Sequence, residues 1–272
     1  MRQFVSSVFP DQQGLLKVSG KDYHYLHQVL RVKAGDMMSV RLPDGTLAGM
    51  TVCIPDERIK TIILQICADT LHTEKTVTRG TKAEEILQPG CETEYWLFQF
   101  AARPQKMDVI IRQAVECGIK MIVPVIGEYT QKDAAEASIR RSDRIDRIIR
   151  EARQQSGSPV ETVMHAAVDP ADAVALWKTH TAGMKDTAAF VLYERRENSV
   201  SIQDAVRKLS DVRAAALAVG CEGGISPGEI ELLCGNGFLP VHFNTNILRC
   251  ETAAIYGMAV LQTSIAETRV CH

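Results

Sequence analysis

Over roughly the first seventy residues, short alternating or continuous apolar runs are cut by turn chemistry. Residues 47–54 and 61–68 read as strands, set apart by the turns Pro43-Asp44-Gly45 and Ile54-Pro55-Asp56. One stretch departs from this rhythm. Tyr23, Leu26, Val29 and Leu30 recur at helical spacing and predict a helix over residues 21–30. A small β-barrel with one helix fits this half. From about residue 73 to residue 90 the chain is polar without a strong period and ends in Gln88-Pro89-Gly90, which reads as a connection. The texture then changes. Apolar runs at 95–100, 121–126, 188–193 and 214–220 alternate with helix-like segments. The clearest helix spans 106–117, with Met107, Ile110, Ile111, Ala114 and Val115 on one face and Gly118 as its terminator. Strands alternating with helices predict a mostly parallel sheet covered on both faces. The expected class is α/β, with a β-rich domain over residues 1–72 and an α/β domain over 73–272.

Composition narrows the field. The 272 residues are 46% hydrophobic and 24% charged, enough for a sizeable core and unlike a disordered chain. With 31 basic and 33 acidic residues the net charge is −2, so any RNA site must be a local patch rather than a bulk field. No apolar run reaches the length of a membrane span, and Met1-Arg2-Gln3-Phe4-Val5 lacks the apolar core of a signal peptide. A cytoplasmic protein without a membrane partner is expected. The eight cysteines, at 53, 67, 91, 117, 221, 234, 250 and 271, form no CxxC pair and are accompanied by no His-x3-His pair. Reduced thiols and no metal site are therefore expected.

Three stretches carry candidate chemistry. At 214–229 an apolar strand runs into Gly220-Cys221-Glu222-Gly223-Gly224, followed by Ser226, Pro227 and Glu229 at the spacing of a helix N-cap, first turn and capping box. This is strand, glycine-rich turn, helix. It serves equally as a bare βα connection or as a turn that lets a ligand approach the backbone. Neither the Rossmann nor the Walker phosphate pattern is present there. The second stretch, Asn244-Thr245-Asn246-Ile247-Leu248-Arg249-Cys250-Glu251-Thr252, leads into a helix rich in small residues. Alone, Arg249 and Glu251 read as a surface ion pair of little worth rather than as a site. The third has arginines at 140, 141, 144, 147, 150 and 153, interleaved with Asp143, Asp146 and Glu151. It reads either as a solvated, ion-paired helix face or as a phosphate-contacting one.

Taken together, Gly220-Cys221-Glu222-Gly223-Gly224-Ile225-Ser226 with Glu229, and Ile247-Leu248-Arg249-Cys250-Glu251-Thr252-Ala253, resemble the GPEGGFS and RILRTETA patterns of the RsmE family. These are the S-adenosyl methionine-dependent 16S ribosomal RNA uridine N3-methyltransferases of the SPOUT, or trefoil-knot, superfamily. The likeness continues in order along the chain. His24-Tyr25-Leu26-His27-Gln28-Val29-Leu30-Arg31-Val32-Lys33-Ala34-Gly35-Asp36 is similar to the family's barrel motif, and Lys106-Met107-Asp108, residues 113–118 and residues 151–156 fit its central motifs. The resemblance implies a PUA-like β-barrel for RNA binding followed by a SPOUT α/β domain with a C-terminal knot.

It also implies S-adenosyl methionine as cofactor, 16S ribosomal RNA within the small ribosomal subunit as partner, and a homodimer. The cofactor would lie among three loops: Leu192, Tyr193 and Glu194; Gly220, Cys221, Gly223 and Gly224; and Asn244, Asn246, Ile247 and Leu248. Arg249 would stabilise charge developing on a uracil oxygen, with Glu222 or Glu251 orienting it. Glu194, Glu222 and Glu251 stay unranked as bases. Arg2, Arg31 and Lys33 would contact RNA phosphates. The chain departs from the family pattern at Gln113, Tyr129, residues 157–158, Cys221, Asn244 and Asn246, several times losing a positive charge. Those departures leave a second reading, a ribosome-binding or assembly protein that has lost catalysis or a methyltransferase redirected to another RNA site.

Overall fold

A computed structural model describes residues 3–53, 55–67, 93–139, 143–195, 199–207, 209 and 211–270. The chain divides into two compact units, Met1–Leu87 with Arg153–Gly157 and Gln88–Ala152 with Ser158–His272. The expected boundary after residue 72 lies outside the described residues.

In the first unit, β1 (Gln3–Val5), β2 (Leu15–Ser19), β3 (Met37–Arg41), β4 (Leu47–Val52) and β5 (Thr61–Ile66) form one sheet in the order β1-β3-β4-β5-β2. Alternation along the strands buries Leu16, Val18, Val40, Met50, Ile62 and Leu64 in a common core with Phe4, Tyr23 and Leu26. Closing a barrel requires β1 to pair with β2. Among the described residues β1 pairs only with β3, so the expected barrel is here a five-stranded half-barrel sheet. The helix expected at 21–30 is split: α1 (Gly20–His24) continues as a π-helical turn, Tyr25–Val29. The Leu30 amide reaches back to the Tyr25 carbonyl at 3.0 Å, one residue beyond the α-helical partner. Leu26 is then fully buried, and the Tyr23 and His27 rings stack 5.2 Å apart.

The second unit is built on a seven-stranded sheet, parallel in every pairing. Its strands are β6 (Glu94–Phe100), β7 (Met121–Val125), β8 (Val163–Met164), β9 (Thr187–Leu192), β10 (Val200–Ser201), β11 (Ala214–Val219) and β12 (Phe238–His242). Their order is β10-β12-β9-β11-β6-β7-β8. The central strand β11 is buried at all six positions, as its unbroken apolar run requires. One sheet face packs on α2 (Pro104–Glu116), α4 (Asp143–Ser156), α6 (Ile202–Val206) and α8 (Cys250–Val270), burying Leu97, Ile110, Ile148, Leu217 and Met258. The other packs on α5 (Pro170–His180) and α7 (Pro227–Gly235), burying Trp96, Phe98, Trp177, Ile230 and Leu233. A further helix, α3 (Lys132–Ile139), follows β7.

The helix ends follow the local code. Gly118 takes the left-handed conformation after α2, and the Gly118 and Ile119 amides return to Val115 and Ala114, a Schellman closure. Ser226 and Glu229 form both halves of a capping box on α7. No described helix is long and apolar enough to cross a membrane.

The strand order places the site. The chain lays down β9 two positions from β6, and β11 later enters the gap between them. The carboxyl ends of β12, β9, β11 and β6 therefore lie side by side at one edge of the sheet. In open parallel sheets, that edge beside a reversal of strand order is where ligands bind.

Candidate active site

Three of the four segments leaving this edge are the predicted loops. After β9, Leu192 is half-buried, the Tyr193 amide donates to the Val241 carbonyl at 2.9 Å, and Glu194 is exposed. After β12, residues 244–247 are exposed and Leu248 is half-buried. Ile247 stands out, an isoleucine with 86% of its surface open. Asn244 does not take a left-handed backbone, so a side chain is tolerated where the resembled pattern has glycine.

The turn after β11 is closed by its own backbone. The Gly224 amide donates to the Cys221 carbonyl at 3.0 Å, and Gly224 has φ +81°. A Cβ on Gly220 would lie 2.8–3.0 Å from Gly224 backbone atoms, so that position excludes every side chain. A Cβ on Gly223 would meet the Tyr129 Cβ at 2.9 Å. Two of these glycines thus serve turn closure and one admits Tyr129. Cys221 fits in place of the family's proline because its buried thiol donates to the Tyr129 and Gly224 carbonyls, at 3.4 and 3.6 Å. Burial pushes that thiol up, which keeps it a donor.

The structure joins two of the predicted site residues through a third, which the sequence offered only within a family-like motif and not as a site residue. Lys106, in the first turn of α2, places Nζ 3.5 Å from Glu222 Oε1 and 3.2 Å from Glu251 Oε2. The Cys250 thiol donates to Glu251 Oε2 at 3.2 Å, and the Arg103 amide donates to Glu222 Oε1 at 3.3 Å. Partial burial opposes the charge on Lys106, but the Glu251 hydrogen bond and the negative groups around it win, holding the ammonium above its ordinary range. Burial likewise works against the Glu251 carboxylate. Backbone donation at the start of α8, the Cys250 thiol and Lys106 outweigh it and hold Glu251 below its ordinary range. The Cys250 thiol is pushed up to about 12, first by burial and then by the Glu251 hydrogen bond and the charge of Glu222.

Arg249 stands apart. Its side chain is exposed and makes no hydrogen bond or ion pair to a described residue, while its carbonyl accepts the Ala253 amide at 2.7 Å to open α8. The glutamates expected to orient Arg249 hold Lys106 instead. A signal for Lys106 existed. A cation in the first turn of a helix opposes the dipole and so calls for carboxylate partners.

Gln99 is a second site residue outside the sequence motifs. Fully buried near the end of β6, it donates through Nε2 to the Phe100, Val219 and Gly220 carbonyls at 2.9, 3.3 and 3.2 Å, while Oε1 has no partner among the described residues. A lone glutamine in the apolar strand Tyr95-Trp96-Leu97-Phe98-Gln99-Phe100 was the clue. Glu229 adds a further tie, accepting the Glu128 amide at 2.7 Å and the Ser226 amide at 2.8 Å.

Elsewhere, Arg31 and Lys33 are exposed in the first unit and Arg2 lies outside the described residues. On α4, Arg144 pairs with Asp108, and Arg147 pairs with Glu151 at 3.9 Å, which favours the ion-paired reading of that helix.

Residues 76–262 match the family model described as an RNA methyltransferase domain. The chain belongs to this RNA methyltransferase family. The methyltransferase is 24% identical over 274 residues to Ribosomal RNA small subunit methyltransferase E of Rickettsia conorii, covering 99% of this chain and 95% of that protein. It is 26% identical to Ribosomal RNA small subunit methyltransferase E 2 of Borreliella burgdorferi, over 91% and 90% of the two chains. Among solved structures, it shares its fold with Ribosomal RNA small subunit methyltransferase E from Neisseria gonorrhoeae bound to S-adenosyl methionine. There the TM-score is 0.74 at 22% identity, over 97% of each chain. The methyltransferase resembles the S-adenosyl methionine-bound putative methyltransferase of Legionella pneumophila to a similar degree, with TM-score 0.71 at 22% identity over 97% and 96%.

Proposed function

We propose that this methyltransferase uses S-adenosyl methionine to methylate N3 of a uridine in 16S ribosomal RNA, on the small ribosomal subunit and in the cytoplasm. One observation carries the reading. The Gly220–Gly224 turn, the end of β9 and the 244–248 loop meet at one sheet edge, beside the Glu222–Lys106–Glu251 cluster. The residues fit the cofactor. Leu192, Ile247 and Leu248 offer apolar surface, and Gly220 to Gly224 offer close-approach backbone, its Gly220 carbonyl held by Gln99. When bound, the cofactor supplies a methyl group activated on a sulfonium.

The chain's own residues then bind, orient and move a proton. Arg249, with no competing partner among the described residues, is available for negative charge growing on a uracil oxygen. The insertion of β11 between β6 and β9, with α8 packed on α2 and α6 after the last loop, supports a trefoil-knot threading. The first unit, residues 1–72 in this reading, is a PUA-like module that positions RNA. Arg31 supports that role: it holds φ +54°, a left-handed backbone that a non-glycine residue adopts at a cost of about 1 kcal/mol. A homodimer completes the proposal.

The test is incubation with methyl-labelled S-adenosyl methionine and small subunits lacking the modification, followed by nucleoside mass spectrometry. N3-methyluridine at a single site is expected. Label at another nucleotide would mean a redirected enzyme. No label with intact cofactor binding would mean a silent ribosome binder.

A further inference from the structure

We infer that Glu222 is the catalytic proton acceptor of this reaction, with Lys106 and the Arg103 amide as the groups that aim it. The inference rests on the methyl-transfer reading above and separates the glutamates by what their oxygens already do. Glu251 Oε2 accepts from both Lys106 and the Cys250 thiol, and Glu251 sits in the first turn of α8, where exposed backbone amides stabilise its charge. A carboxylate so engaged gives up those contacts when it takes a proton. Glu194 is exposed and no described residue holds it, so nothing fixes it against a substrate atom.

Glu222 combines what the other two lack. Both of its contacts, Lys106 Nζ at 3.5 Å and the Arg103 amide at 3.3 Å, fall on Oε1. Oε2 makes no hydrogen bond or ion pair with a described residue, and the Glu222 side chain on the glycine turn keeps 23% of its surface open to solvent. One oxygen is anchored and the other has no partner among the described residues. The other groups of the cluster are excluded by their own chemistry: Lys106 is held protonated, the Cys250 thiol keeps its proton, and the Arg103 guanidinium, donating to Gln131, has no lone pair to offer.

The step balances. The uracil N3–H bond breaks, its electron pair stays on N3, and the proton passes to Glu222 Oε2. That N3 pair forms the bond to the methyl carbon, and the sulfur–carbon pair returns to sulfur. The carboxylate's negative charge and the sulfonium's positive charge cancel, leaving a carboxylic acid, a thioether and the methylated base.

The full-length Glu222→Gln variant tests this on unmodified small subunits. Single-turnover methyl transfer should fall about 10²–10⁴-fold, with calorimetric affinity for S-adenosyl methionine and affinity for the subunit unchanged. Raising the pH should restore much of the lost rate, because the ionised imide no longer needs a base. Glu251→Gln should lose stability, and raising the pH should restore none of whatever rate it loses, because its carboxylate takes no proton in the step. A Glu222→Gln enzyme as fast as wild type would overturn the inference, as would a loss of rate matched by a loss of cofactor affinity. Alkaline rescue of Glu251→Gln in place of Glu222→Gln would also overturn it. A wild-type protein that binds cofactor and subunit but transfers no methyl group would remove the methyl-transfer reading, and this inference with it.

Discussion

Lys106 illustrates how much of a site rests on a single side chain. Its ammonium lies between Glu222 on the glycine turn and Glu251 in the first turn of α8, and offsets the repulsion between their carboxylates. All three side chains are partly open to solvent, so the pairing is worth only about 1 kcal/mol. Lys106→Met should lower unfolding free energy by that amount at neutral pH, as read from denaturant melts. Because Lys106 helps hold Glu251 below its ordinary value of 4.5, the gap is full above that value. It should close as the pH falls through the lower folded value. A gap that widened on acidification would contradict the assignment. Arg249, by contrast, contributes little to the fold. Arg249→Ala should cost methyl transfer about 10²-fold or more while leaving calorimetric binding of S-adenosyl methionine nearly intact. Equal losses would make it a structural residue.

The element that shapes the site is the β11–turn–α7 unit. Its parts were readable because each obeys a local rule: a continuous apolar strand for a buried parallel position, glycines for a closed turn, and Ser226 with Glu229 for a capped helix. The use of each glycine was not readable. Gly220 is required by the Gly224 backbone and Gly223 by Tyr129, from a loop far away in sequence. Gly220→Ala should therefore open the turn. Cofactor affinity, followed by calorimetry, should fall at least about tenfold, the equivalent of 1.4 kcal/mol, while circular dichroism stays close to wild type. Unchanged affinity would show that the turn's shape is not what the cofactor reads. The π-helical turn Tyr25–Val29 shows the same limit, because hydrophobic spacing announces a helix without distinguishing an α from a π register.

At the scale of the whole molecule, two compact units carry different parts of the proposed task. With a net charge of −2 the chain has no bulk attraction for RNA, so local cations must supply it. Arg31→Ala and Lys33→Ala should each weaken binding to the small subunit and reduce the slope of log affinity against log salt by about 1, with calorimetric cofactor binding unaffected. A slope that did not move would remove these residues from the RNA surface. The first unit's curvature was only partly legible. The run of short strands suggested a closed barrel, but whether β1 meets β2 depends on pairings that no short motif encodes.

The residues of the three loops came from the resemblance to a known family, whereas the sequence by itself determined what short-range chemistry can determine: the parallel α/β class, the capped helix ends and the glycine turn. Each follows from periodicity, capping or backbone freedom within a few residues. Tertiary structure decided the partnerships. It set β11 between β6 and β9, so that four strand ends share one edge. It brought Lys106 from α2 to the carboxylates of Glu222 and Glu251, placed the Gln99 carboxamide under the Gly220 carbonyl, and left Arg249 without a partner among the described residues. Those contacts join residues far apart in the chain, and their charge and hydrogen-bond energies arise only once the strand order has been set.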